Sequence, residues 1–188
     1  MTLRLTPPCT ADGPTLTAAE FGNATPAGCP LWLPRGYLTR GKRLQLRASG
    51  KVSTLTSRGP GPDLDPGSMR FQLRMGDAIV WDGGAVPLSP APVESTDLPW
   101  ALDVDLRVLT SGALVATTLD GAGTLTCAAL LGAGTQPTAG AVVALPYRAA
   151  AAAGSGVDAW REQSVELWYA QGMPGGALTV SGYALFEV

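Results

Sequence analysis

Ala177-Leu178-Thr179-Val180-Ser181-Gly182-Tyr183-Ala184-Leu185-Phe186-Glu187-Val188 is the stretch whose reading decides the fold. Leu178, Val180, Gly182, Ala184, Phe186 and Val188 fall on one side at a spacing of two. Thr179, Ser181, Tyr183, Leu185 and Glu187 fall on the other, the period of a half-buried strand. A terminus with this pattern gains nothing by fraying, so the strand is expected to pair within a sheet and to close a β-domain.

Working outward from it, Ser164–Ala170 sets Val165, Leu167 and Tyr169 against Glu166 and Trp168, the penultimate strand. Residues 100–131 read as an antiparallel meander: Trp100–Leu109, a turn at Ser111-Gly112, Ala113–Leu119, a turn at Asp120-Gly121, then Thr124–Leu131. Ala141–Leu145 is a short strand beyond it. Met69–Met75 and Ala78–Trp81 form a pair, with Asp82-Gly83-Gly84 read as a hairpin turn. Lys42–Thr56 is the first long strand: Leu44, Leu46, Ala48, Gly50 and Val52 alternate with a basic outward face of Arg43, Arg47 and Lys51. The Pro/Gly-rich run 57–67 is a loop, because proline cannot serve a central ladder. The run Ala149–Ala153 is too short for an independent helix and reads as a surface loop. Eight or nine strands without a dependable helix predict an all-β, jelly-roll-like antiparallel β-sandwich. An immunoglobulin-like sandwich is the alternative, without its Cys, Trp, Cys spacing.

The 188 residues suffice for one domain with its own core. Residues 1–36 are Pro/Gly-rich and hold no sustained period, which predicts an extended N-terminal arm anchored by Leu31, Trp32 and Leu33, ahead of a jelly-roll domain over 37–188. Apolar residues make up 46% and charged ones 15%, a surface that favours cover by a partner. Residues 1–60 carry eight basic and two acidic side chains, and 61–188 carry five basic and thirteen acidic. Opposite signs in the two halves can pair within one molecule or fix a basic arm to an acidic neighbour.

The chain has no histidine, which removes the commonest general base and metal ligand together. Asp103 and Asp105 share a strand face and read as its solvated side, not as a catalytic pair. No nucleophile elbow, phosphate loop or dinucleotide fingerprint occurs, and Gly121-Ala122-Gly123 reads as hairpin punctuation. Asp63 to Gly67 resembles a calcium loop only until its twelfth position, Arg74, where a glutamate is needed. Cys9, Cys29 and Cys127 have no zinc spacing; Cys127 reads as a core thiol, and Cys9 and Cys29 either bridge the arm or stay free in a reducing cytosol. No cofactor is expected. Arg35, Arg40, Lys42, Arg43, Arg47 and Lys51 would suit a phosphate backbone, but the acidic pI of 5.0 favours a protein-docking face over nucleic acid. Sugar stacking on Trp81, Trp100, Trp160 or Trp168 is weighed against core packing. No signal peptide and no membrane span is expected.

In layout the chain resembles the small jelly-roll virion proteins of tailed bacteriophages: head decoration, minor capsid, head-fibre or minor tail proteins. The stretches that carry the resemblance are Pro30-Leu31-Trp32-Leu33-Pro34-Arg35-Gly36-Tyr37-Leu38-Thr39-Arg40-Gly41-Lys42 leading into the strand Leu44–Thr54, the strand Leu102–Leu109, and the closing Leu178–Val188. The resemblance implies a non-enzymatic virion protein made in the host cytoplasm, often trimeric with a tumour-necrosis-factor-like jelly roll, that docks on the major capsid protein. A tail or receptor-binding component and a carbohydrate-binding jelly roll are the alternatives. The docking residues expected are Leu31, Trp32, Leu33, Arg35, Arg40 and Arg43.

Overall fold

The computed structural model describes residues 2–7, 9, 11–17, 20–54, 68–88, 95–112, 115–127, 141–145, 156–172 and 176–188. They form eleven strands: β1 (Leu3–Arg4), β2 (Gly22–Asn23), β3 (Leu31–Leu33), β4 (Arg43–Thr54), β5 (Ser68–Met75), β6 (Ala78–Pro87), β7 (Ser95–Gly112), β8 (Val115–Cys127), β9 (Ala141–Leu145), β10 (Gln163–Gln171) and β11 (Ala177–Glu187). Two antiparallel sheets result, one ordered β1-β11-β4-β7-β8-β9 and the other β2-β10-β5-β6, with β3 also paired to β10. The chain crosses between sheets from β1 to β2, from β3 to β4, from β4 to β5, from β6 to β7, from β9 to β10 and from β10 to β11. This is the jelly-roll antiparallel β-sandwich expected from the strand pattern. The calcium-like segment, the 57–67 loop and the Ala149–Ala153 run lie outside the described residues.

The core fills the space between the sheets. From the six-stranded sheet come Leu44, Leu46 and Val52 of β4, Leu102, Val104 and Leu106 of β7, and Leu178, Val180, Tyr183 and Leu185 of β11. From the other come Met69, Phe71, Leu73 and Met75 of β5, Trp81 of β6, and Val165, Leu167 and Tyr169 of β10. Each large apolar side chain removed from water contributes about 1.5–3 kcal/mol, which makes this interior the main source of stability. The Tyr183 hydroxyl donates to the Val165 carbonyl at 3.0 Å, so a polar group buried at the centre is satisfied across the two layers.

Three elements differ from the sequence pattern, each for a local reason. In β11 the strict alternation breaks at Ser181: Val180 faces Gly50 and Gly182 faces Ser49, so Ser181 is an extra residue, a β-bulge. Beyond it the faces exchange, and Tyr183 and Leu185 point inward while Ala184 and Phe186 point outward. Gly50 sits opposite the bulge because a Cβ there would lie 1.9 Å from the Thr179 carbonyl oxygen. In β8 the expected turn at Asp120-Gly121 is absent, and one strand runs through both glycines. A Cβ on Gly121 would lie 2.6 Å from Leu106 and 2.8 Å from Trp81, so the glycine makes room for the indole. In β6 the Asp82-Gly83-Gly84 segment is likewise no turn: the register passes from Arg70↔Ala85 to Gln72↔Asp82, a bulge with Gly84 at φ 71°.

The described part of residues 1–36 lies along its own domain. β1 pairs with β11, Leu16 bridges to Leu178, and β2 and β3 pair with β10. Ala24, Cys29, Leu31 and Leu33 enter the core. Cys9 and Cys29 are disulfide-bonded, with Cα atoms 5.3 Å apart, and Cys127 is buried.

Candidate docking surface

The sandwich presents three surfaces on which the expected functional residues are distributed. The first is the end where residues 34–42 cross from β3 to β4. Leu31 and Leu33 point into the core and anchor the crossing, while Trp32 between them is 56% exposed. Gly36 adopts a φ of 76°, and its amide donates to the Ala159 carbonyl at 2.8 Å, which ties the crossing to the 158–161 turn. That turn is held by Asp158, which accepts from the Trp160 amide at 3.0 Å and pairs with Arg161 at 3.2 Å. The Arg35 guanidinium consequently lies 5.4 Å from the centre of the Trp160 ring, a cation-π contact open to solvent.

Arg40 lies further along the same crossing, and Arg43 opens β4. The Gly41 amide donates to Val108 at 2.8 Å, and Arg43 opposes Arg107 across the β4–β7 ladder. Lys42 turns the other way, pairing with Glu187 at 3.2 Å and resting 3.4 Å from the Tyr37 ring centre. Lys42, Arg47, Arg70 and Arg161 each have a carboxylate partner; Arg35, Arg40 and Arg43 form no ion pair among the described residues. Three of the six expected docking residues are therefore free cations at one end, two are core anchors, and Trp32 faces elsewhere. Trp160 was missed as their neighbour because it is distant in sequence and its pairing with Arg35 follows from the Gly36–Ala159 hydrogen bond.

The second surface is the outer face of the six-stranded sheet. Its basic row on β4 meets acids on β7: Arg47 pairs with Asp103 at 3.4 Å, and Gln45 donates to the same carboxylate at 3.0 Å. The opposite charges of the two halves of the chain thus meet within one molecule. Ser49, Ala101 and Thr126 continue this face as a row of small side chains, flooring a shallow concavity of about 700 Å³ with Arg4, Ser181, Ala184 and Phe186.

The third surface is the outer face of the β2-β10-β5-β6 sheet. Asp82 pairs with Arg70, accepts from Gln72 at 3.0 Å and from the Gly84 amide at 2.8 Å. Burial acts to raise the Asp82 carboxyl, but the hydrogen bonds from Arg70, Gln72 and Gly84 outweigh it and hold the group below its ordinary value. Arg74 lies 3.9 Å over the Trp168 ring, whose Nε1 donates to Glu166 at 2.9 Å. Of the four tryptophans weighed as sugar platforms, Trp81 and Trp100 are core residues, Trp168 is covered by Arg74, and Trp160 is engaged by Arg35.

No group of three or more Cys, Asp or Glu positioned to hold a metal ion occurs among the described residues. Comparison with protein-family models and with curated proteins returns no match for this chain.

Proposed function

We propose that the chain is a non-enzymatic virion structural protein, a capsid decoration or minor capsid protein that docks on the major capsid lattice and self-associates as a homotrimer. The observation that carries this reading is the set of exposed cations Arg35, Arg40 and Arg43, which form no ion pair among the described residues, at one end of a jelly roll, with Arg35 stacked on half-exposed Trp160. Arg and Trp are the residue types that dominate binding energy at protein interfaces, and unpaired arginines are suited to an acidic surface. The jelly roll is an architecture that capsid proteins use. Leu3 and Val188, each about half exposed at the β1–β11 edge, supply apolar surface for a second copy to cover.

Electron microscopy of purified particles, with the protein labelled, tests the reading. Density for the jelly roll on the shell, its 34–42 end inward, is the expected result. Particles whose shells carry none of the protein contradict it. Light scattering on the isolated chain is expected to give three times the 19.2 kDa protomer mass; a strict monomer at high concentration contradicts the trimer.

A further inference from the structure

β2 and β3 pair with the same edge of β10 but do not meet. β2 takes Trp168 and Tyr169, β3 takes Gln163 to Val165, and the ladder between them is interrupted at Glu166 and Leu167. The connecting chain closes the gap from the side: the Ala24 amide donates to the Leu167 carbonyl, and Thr25 Oγ1 accepts from the Leu167 amide, both at 2.8 Å. Residues 26–30 then make a turn, closed by the Cys29 amide donating to the Pro26 carbonyl at 2.9 Å, with Pro26 and Cys29 buried, Ala27, Gly28 and Pro30 exposed, and the turn pinned by the Cys9–Cys29 bond.

What remains is a notch of about 150 Å³ on the outer face of the sheet, where Trp32, Ser164, Glu166, Asn23 and Thr25 converge. Its chemistry is specific. Trp32, 56% exposed, offers a flat apolar wall. Asn23 Oδ1 is engaged by the Thr25 amide at 2.9 Å, which fixes the side chain and leaves its NH₂ free to donate. One oxygen of Glu166 is held by Trp168 Nε1, which orients the carboxylate and leaves the other oxygen free to accept. Ser164 adds a hydroxyl that can do either.

The geometry points to a binding site for a single pyranose ring, the terminal sugar of a glycan. An aromatic wall takes the apolar C–H face of the ring, and a fixed carboxylate, amide and hydroxyl take its hydroxyls, which need donors and acceptors at short spacing. The notch is sized for one ring, and its rim is pinned, so little ordering cost falls on binding. A ligand as small as a monosaccharide is held with millimolar affinity. The site is separate from the 34–42 end and does not rest on the docking reading.

Titration of the full chain with the methyl glycosides of glucose, galactose, mannose and N-acetylglucosamine tests the inference, read by the NMR shift of the Trp32 indole N–H. Tetramethylammonium serves as the competing probe, since an indole beside a carboxylate also suits an organic cation. At least one glycoside is expected to give a saturable shift below ~100 mM. Followed through backbone amide shifts around Ser164, that binding is expected to vanish in Trp32→Ala, to weaken about tenfold in Glu166→Gln, and to persist in Trp160→Ala. The backbone spectrum of each variant reports that it is folded. No saturation by any of the four glycosides, saturation by the ammonium ion alone, or sugar binding that survives Trp32→Ala overturns the inference. Loss of particle docking in Arg35 and Trp160 variants, with sugar binding retained, shows the two sites to be independent.

Discussion

The Tyr37 hydroxyl donates to the Glu187 carboxylate, joining the crossing before β4 to the last residue of β11. Lys42 pairs with the other Glu187 oxygen at 3.2 Å and lies against the Tyr37 ring, so one carboxylate clasps two segments 150 residues apart. The Tyr37 hydrogen bond, followed by that of Lys42, holds the Glu187 carboxyl below its ordinary range. A carboxyl depressed in the folded state stabilises above its unfolded pKa, and that contribution is lost as pH falls through the folded value. Thermal unfolding of Glu187→Gln is therefore expected to fall below the parent near neutral pH, the gap closing below about pH 4. An equal gap at both pH values contradicts the clasp.

On the alkaline side the sign reverses. Burial first, then the hydrogen bond and charge of Glu187, push the Tyr37 phenol well above its usual value. Ionising it is thus harder in the folded protein, and its contribution is lost as pH rises beyond about 10. Tyr37→Phe is expected to show a shallower alkaline loss of stability, read by the same melting series.

Gly50 is the position least able to accept a side chain. Gly50→Ala would place a methyl group 1.9 Å from the Thr179 carbonyl oxygen, where only backbone can move. Urea unfolding is expected to show a loss of about 2–3 kcal/mol. Gly36→Ala, where a Cβ meets nothing within 4 Å, tests φ alone and is expected to cost about 1 kcal/mol.

Asp82 anchors Arg70, Gln72 and the bulge at Gly84 at once. Asp82→Ala leaves Gln72, only 4% exposed, without that acceptor, and is expected to cost about 2–3 kcal/mol in urea unfolding. A change under about 0.5 kcal/mol would mean that water replaces the carboxylate there.

The Cys9–Cys29 bond closes a segment with a sequence separation of 20 across the edge of both sheets. Reduction is expected to cost about 3 kcal/mol of stability under the chain-entropy description, read as a lowered melting temperature in reductant. Cys127, buried in the core, is expected to resist thiol reagents in the folded protein.

These features differ in how far they show in the residues alone. β4, β5 and β10 follow a period of two because their inward side chains are large and apolar, so strand limits and facing were legible. The bulge at Ser181 was not: Gly182-Tyr183-Ala184-Leu185-Phe186 is apolar on both sides, and facing is decided by Gly50 on the neighbouring strand. Gly121 looks like a turn because local propensity has no knowledge of Trp81, which comes from the opposite sheet. The exposed Arg35, Arg40 and Arg43 were legible as a basic stretch following Trp32. The notch at Trp32 was not, since it arises where two short strands share one edge of β10.

The most direct test of the docking surface is co-sedimentation of the chain with capsids that lack it, comparing the parent with an Arg35→Glu, Arg40→Glu, Arg43→Glu variant across salt. The parent is expected to bind more weakly as salt rises, because exposed charges are screened within a Debye length of ~8 Å at physiological ionic strength. The variant, folded by its melting curve, is expected to stay in the supernatant. A variant that sediments with capsids as fully as the parent, at every salt concentration, contradicts docking through this end.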